Sequence, residues 1–382
     1  MKLAGKSMRV DQLLKEIPRS PKIKRSEYKS EGLYPVIDQS KAYISGYTDD
    51  PSKLYRGSLP VIVFGDHTRA LKLVNFPFCI GADGTQLLQP TGDIDTKYFY
   101  YALQNIKLTN YGYERHFKYL KESEINILPA LEQQKISAVL SAYDDLIEVN
   151  QKRITILEKM IHEIFKEWFY LYRFPGFEKH KFSKGIPIGW KLKKIPDVIN
   201  INPQITLQKS GYKPFVPMSS LSNDSMLISD IESREGNSGA KFQNGDTLFA
   251  RITPCLENGK TGYVQFLKKS TDIAFGSTEF IVLRSIALSP EFVYCLARRD
   301  EFRRIAISSM TGASGRQRVQ EQCFSSLDIL LPPENLIEKF SSVASLNFKL
   351  IYRLQKNNEI LRKTRELLLP KLVNGLIKLE AC

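Results

Sequence analysis

The chain has 382 residues, enough for about two to three domains at roughly 100–200 residues each. With 42% hydrophobic and 25% charged residues it is not a disordered tail, and it lacks the run of about 18 uncharged apolar residues that a membrane span needs. Lys and Arg number 55 against 41 Asp and Glu, for a net charge of +14. Five scattered cysteines, none at CxxC spacing, and four histidines argue against a zinc site or a disulfide framework.

The N-terminal MKLAGKSMRV has no apolar signal core, so a cytoplasmic location is expected. The first long segment alternates short strands and turns. SLPVIVFGDHTRALK (58–72) and GADGTQLL (81–88) read as strands bounded by Gly and Asp turns, and YFYYAL (98–103) as a short helix. After Pro129 the apolar positions step by 4 and 3: Ile136, Leu140, Tyr143, Ile147, Asn150, Ile154, Leu157, Ile161, Ile164, Trp168. Such a seam predicts a coiled-coil helix over 128–172, roughly 60 Å long and too long for one helix of a compact core.

The Pro-, Gly- and Lys-rich RFPGFEKHKFSKGIPIGW (173–190) reads as a linker. Beyond it the first pattern returns. GDTLFARITPCLENGK (245–260), FGSTEFIVLR (275–284) and EFVYCL (291–296) match the three earlier stretches, with Thr85 against Thr278 and Tyr101 against Tyr294. A second helix is expected after Pro332 and Pro333. Its seam, displaced by 204 residues, is Phe340, Ala344, Asn347, Ile351, Leu354, Asn358, Leu361, Arg365, Leu368, Leu372. The chain is therefore an internal duplication of two mixed domains. The expected divisions are 1–127 for the first domain, 128–172 for the first helix, 173–190 for the linker, 191–330 for the second domain and 331–382 for the second helix and tail.

By segment the net charge is +5 over 1–130, −2 over 131–172, +7 over 173–332 and +4 over 333–382. A basic excess spread through globular segments suits a polyanion, most often nucleic acid. Phosphate contacts set affinity, whereas base discrimination needs polar side chains aimed at groove edges. Candidates in the first domain are His67, Arg69, Lys72, Arg115, His116 and Lys118. Those in the second are Lys241, Arg251, Lys260, Arg316 and Arg318. For each the plain alternative is a solvated surface charge. Arg316 and Arg318 stand on the Gly-rich GASGRQR, a loop able to approach a phosphate closely.

Other motifs favour plain readings. GADG (81–84) lacks GxGxxG and is no dinucleotide fingerprint. INPQ (201–204) is short of the Pro and the aromatic that an amino-methyltransferase motif requires. His67 follows Asp66, yet neighbouring residues rarely face each other and no nucleophile is marked.

The stretches FQNGDTLFARITPCLENGK (242–260), GSTEFIVL (276–283), TGASGRQRV (311–319), ILLPP (329–333), LPALEQQKI (128–136), IPIGW (186–190) and LLLPKLVNGLI (367–377) resemble the DNA-specificity subunit of type I restriction-modification systems. The likeness spans essentially the whole chain, but the N-terminus has no counterpart of IPIGW. The resemblance implies an α+β fold: two mixed α/β target-recognition domains in tandem, separated by two long helices forming an antiparallel coiled coil. It implies a non-catalytic subunit that reads double-stranded DNA and assembles with two methyltransferase subunits and restriction translocase-nuclease subunits. No cofactor is implied on this chain; S-adenosylmethionine is expected on the methyltransferase partner, and ATP and Mg on the nuclease partner. The alternatives are a stand-alone DNA-binding or scaffold protein without a methyltransferase partner, or an enzyme with its own site. Against the enzyme stands the lack of a clustered acid pair with Lys or a cofactor loop. Duplex DNA suits a duplicated reader on a rigid spacer better than RNA, whose sequence is read mostly on flexible single strands.

Overall fold

A computed structural model describes residues 3, 5–18, 20–109, 112 and 114–379, so Cys382 and part of the N-terminal decapeptide lie outside it. The chain divides into two compact units, Met1–Glu148 with Glu359–Cys382, and Val149–Asn358.

In the first unit the strand Val61–Gly65 is wholly buried. It lies between Leu71–Val74 and Thr85–Leu88, antiparallel to both. Successive side chains point to opposite faces. Ile62 and Phe64 pack under the helix Thr96–Gln104, while Val61 and Val63 pack on Ile37 and Phe78. A second sheet orders Lys22–Ile23, Cys79–Gly81, Tyr34–Ile37 and Gly46–Thr48, with Val36 opposite Cys79 in a parallel pair. Asp95 caps the helix by accepting from Tyr98 N at 2.7 Å. It also accepts from Ser137 Oγ on the long helix at 2.6 Å.

The second unit repeats the plan. Thr247–Ala250 is buried between Thr261–Tyr263 and Phe280–Ser285, and Tyr212–Val216 runs parallel to Ala274–Gly276. The helix Pro290–Arg298 is capped by Ser289, which accepts from Phe292 N at 3.2 Å. Glu291 on that helix accepts from Ser341 Oγ at 3.0 Å.

Lys191–Lys194 pairs with Asp328–Leu331, and Lys6–Arg9 pairs in the same way with Glu124–Ile127. The strand after IPIGW thus has a counterpart in the first unit, although Trp190 does not. Ahead of that first strand, Leu3 N donates to Gly375 O at 2.8 Å, two residues past the second long helix. The segment 173–190, read as a linker, contains regular structure of its own. Phe182–Ser183 and Ile186–Pro187 form a hairpin whose two turn residues, Lys184 and Gly185, have φ of 51° and 79°. Two positive φ values suit the right-handed strand twist. Phe174 and Trp190 are buried.

The long helices are Ala130–Phe169 and Glu334–Val373. In the first unit Asp144 pairs with Arg365, and Lys135 Nζ reaches Leu379 O at 3.5 Å. In the second, Asn150 Nδ2 donates to Asn358 Oδ1 at 2.9 Å, and the Phe165 and Phe340 rings lie 5.6 Å apart. One index rises as the other falls, so the pair is antiparallel. The seam departs from strict spacing in two places. Phe348 is buried where Asn347 was expected, and Phe165 and Phe169 are buried in place of Ile164 and Trp168. Asn347 instead donates to Val343 O at 2.8 Å on its own helix.

Asn150 and Asn358 are almost wholly buried. A buried amide pair fixes register in a coiled coil at some expense of stability. Asn150→Ala removes the donor to Asn358 and should cost about 1–3 kcal/mol in urea unfolding. Replacing both by Leu should be neutral or stabilising. A stability loss in the Leu pair equal to that in Asn150→Ala would contradict this reading.

Candidate nucleic-acid interface

In the first unit the buried strand ends at Gly65, and the chain turns through 66–70. Thr68 Oγ1 donates to Gln39 O, and His67 N to Gln39 Oε1 at 3.2 Å. The loop before Phe117–Glu122 docks on the same turn. His116 N donates to Asp66 O at 2.9 Å, and Phe117 N to Asp66 Oδ1 at 2.8 Å. His67 and Arg115 therefore flank one junction, with Lys118 a turn further on; all three are exposed. Arg69 is half-buried, φ 60°, with Nη1 donating to Leu108 O at 2.9 Å.

Two candidates, His116 and Lys72, are buried rather than solvated surface charges. His116 is fully buried, with Nδ1 3.0 Å from Asp66 O. Val319, also buried, takes the same place in the second unit, where its N–H donates to Arg251 O at 2.9 Å. Lys72 is buried too, and its Nζ donates to Asp38 O at 2.8 Å. Burial pushes the Lys72 ammonium below its ordinary range, against the pull of Asp38. In the second unit Lys260, just before the strand Thr261–Tyr263, is half-buried and its Nζ donates to Met218 O at 3.0 Å. Both lysines thus tie the central sheet to the loop after the parallel strand. Lys72→Met keeps the stem but strands the Asp38 carbonyl. It should cost about 1–3 kcal/mol in urea unfolding while leaving the salt dependence of DNA binding unchanged. A changed salt slope without a stability loss would return Lys72 to the interface.

In the second unit three segments are stitched together. Thr253 N donates to Gln317 O, and Gln317 N to Thr253 Oγ1, both at 3.1 Å. Arg251 N donates to Glu279 O at 3.0 Å. This gathers Arg251, Arg316 and Arg318 on one edge. Arg316 is exposed. Arg318 is held by Glu279, whose hydrogen bonds and charge keep its guanidinium above the ordinary range. Lys241 and Arg251 line a cleft of about 310 Å³ with Asn202, Gln204 and Thr278. Gln204, an exposed amide able to read a base edge, and Glu279 were not among the sequence candidates. INPQ had marked Gln204, but as a failed catalytic motif; a search guided by net positive charge passes over an acid.

Among the described residues no group of three or more His, Cys, Asp or Glu is placed to hold a metal ion, and no helix is long and apolar enough to cross a membrane.

A mixed α/β unit present twice, each copy packed on its own part of an antiparallel helical pair and carrying a basic loop cluster beside its central strand, defines a class of duplicated recognition proteins. The chain belongs to the type I restriction modification DNA specificity domain family, whose profile matches residues 7–159 and 187–360. It is a DNA-binding specificity subunit of a restriction-modification system. It is 28% identical over 325 residues to the type I restriction enzyme MjaIX specificity subunit of Methanocaldococcus jannaschii, covering 78% of this chain and 72% of that one. The Escherichia coli EcoAI specificity subunit is 29% identical over 172 residues, 42% of this chain and 29% of the relative. The crystal structure of a type I restriction-modification S subunit from M. genitalium matches with a TM-score of 0.60 at 17% identity, covering 99% of this chain and 97% of that one, a likeness of fold.

Proposed function

We propose that each unit reads one half of a bipartite duplex DNA target. In this reading the paired helices set the gap between the halves and dock two methyltransferase subunits, and translocase-nuclease subunits join for cutting. The chain itself performs no chemistry. Methyl transfer and cutting belong to partners that bring S-adenosylmethionine, ATP and Mg. The observation that carries this reading is the duplication itself. The two units share a central buried strand, a capped helix and a loop cluster in the same place, but differ in the side chains on those loops. Two such readers suit two different half-sites, as dimer geometry suits a palindrome. His67, Arg69, Arg115 and Lys118 are the contacts proposed for one half, with Lys241, Arg251, Lys260, Arg316 and Arg318 for the other.

The test is co-expression with the methyltransferase subunit, followed by genome-wide mapping of methylated adenines. Exchanging residues 1–127 for the matching domain of a relative should change one half-site and leave the other intact. A change in both halves would show joint reading. For about six neutralised phosphates, log K should fall with log salt at a slope near −5. A slope near zero would overturn the DNA reading.

A further inference from the structure

Glu279, at the foot of the strand Phe280–Ser285, is an acid set within the basic edge of the second unit. Arg318 grips it with both arms of its fork, Nε at 3.0 Å from each carboxylate oxygen and Nη2 at 2.7 Å from Oε1. Arg251 Nε lies 3.9 Å from Oε2, while its Nη1 reaches Glu321 at 3.0 Å. Arg318 is also bridged through its backbone to Ile252 and Thr311. Beyond this clamp the loop continues through Gly312 and Gly315, at φ of 123° and 78°, to the exposed Arg316.

The Arg318 side chain is 45% exposed and that of Glu279 22%. An ion pair this open to water adds little to fold stability. Its consequence lies in what Arg318 gives up to meet DNA. A free guanidinium pairs with any phosphate, and phosphates are alike at every sequence. One already held by a carboxylate at two nitrogens must break that pair before a phosphate can take its fork, so each phosphate contact gains less than it would for a free guanidinium. Held in one direction by Glu279, its remaining N–H groups suit acceptors at a fixed base edge better than phosphates met anywhere along the backbone. Penalising the wrong partner is a recognised route to specificity.

We propose that Glu279 is a positioning residue that withholds Arg318 from indiscriminate phosphate contact and so sharpens the choice of the half-site read by the second unit. This rests on the proposed function above.

The experiment compares the full chain and its Glu279→Gln variant, each assembled with the methyltransferase subunit. A duplex bearing the mapped target and a scrambled duplex are titrated across a salt series, and methylated motifs are mapped in cells. For Glu279→Gln, binding to the scrambled duplex should tighten, and its slope should steepen by about 0.9 for one added phosphate contact. The half-site read by the second unit should become degenerate while the other stays intact. Glu279→Gln combined with Arg318→Gln should bring the slope back toward wild type, and Tm should hardly move in either variant. An unchanged slope, or a steeper slope with an unaltered motif, overturns the proposal. So does altered preference at a single base without a slope change, which would mean that Glu279 reads that base itself. Salt-independent binding by the wild-type assembly would instead bring down the proposed function, and this inference with it.

Discussion

Phe165→Ala should destabilise the second unit by about 3–5 kcal/mol, the range for truncating a buried aromatic. Phe165 is fully buried on the first long helix. Its ring meets Phe292 of the capped helix edge-on, with centroids 4.7 Å apart. Phe169 is 5.3 Å away and Phe340, on the second long helix, 5.6 Å. One side chain therefore joins three elements, and its removal opens a cavity that none of them can close alone. Since domains are stable by only about 5–15 kcal/mol, urea unfolding of this unit should move to markedly lower denaturant. Ile156→Ala, at a position 57% exposed on the same helix, should stay within about 0.5 kcal/mol. Equal effects of the two substitutions would show that the junction is not packed in this way.

Lengthening both long helices by one heptad should move the methylated motif to a longer gap with unchanged halves. The insertions belong after Glu148 and after Asn358, where the chain passes between the two compact units. Seven residues are close to two turns, so the seam of each helix keeps facing its partner. Each helix gains about 10.5 Å at 1.5 Å per residue. That is about three base pairs at 3.4 Å per step, which also turns the second half-site by roughly 100° at about 10.5 pairs per turn. Overall methylation should fall because the helices need not supply that rotation, and the residual activity should carry the longer gap. Four residues added to one helix alone should abolish methylation. The shift means that Asp144 with Arg365 and Asn150 with Asn358 cannot both stay paired, and whichever pair is lost leaves polar groups in the seam without each other. Active paired-heptad variants that keep the original gap would show that the helices do not set it.

The long helices, the duplication and the buried central strands were legible because each is written in local periodicity. A 4, 3 rhythm marks an apolar face wherever it occurs, and Val61-Ile62-Val63-Phe64 fills both faces of a strand whatever lies beside it. The exact inward residues were less legible. Phe165 and Ile164 are equally apolar neighbours, and only docking of the capped helix selects Phe165. Asn358 and Arg365 are polar positions in the seam, and only the folded pair supplies their partners, Asn150 and Asp144, from the other helix.

The site was harder still. His116 and Lys72 read like Arg115 and Lys118, yet the first pair is buried and the second exposed. The difference lies in carbonyls remote along the chain, Asp66 for His116 and Asp38 for Lys72. Sequence by itself determined the duplicated α+β plan and the basic character of its loops, because apolar spacing and net charge are properties of short stretches. The tertiary structure alone decided which cations are available to a ligand and which are struts, because a polar group's role depends on the partner that chain closure brings to it, and a short stretch of sequence does not contain that partner.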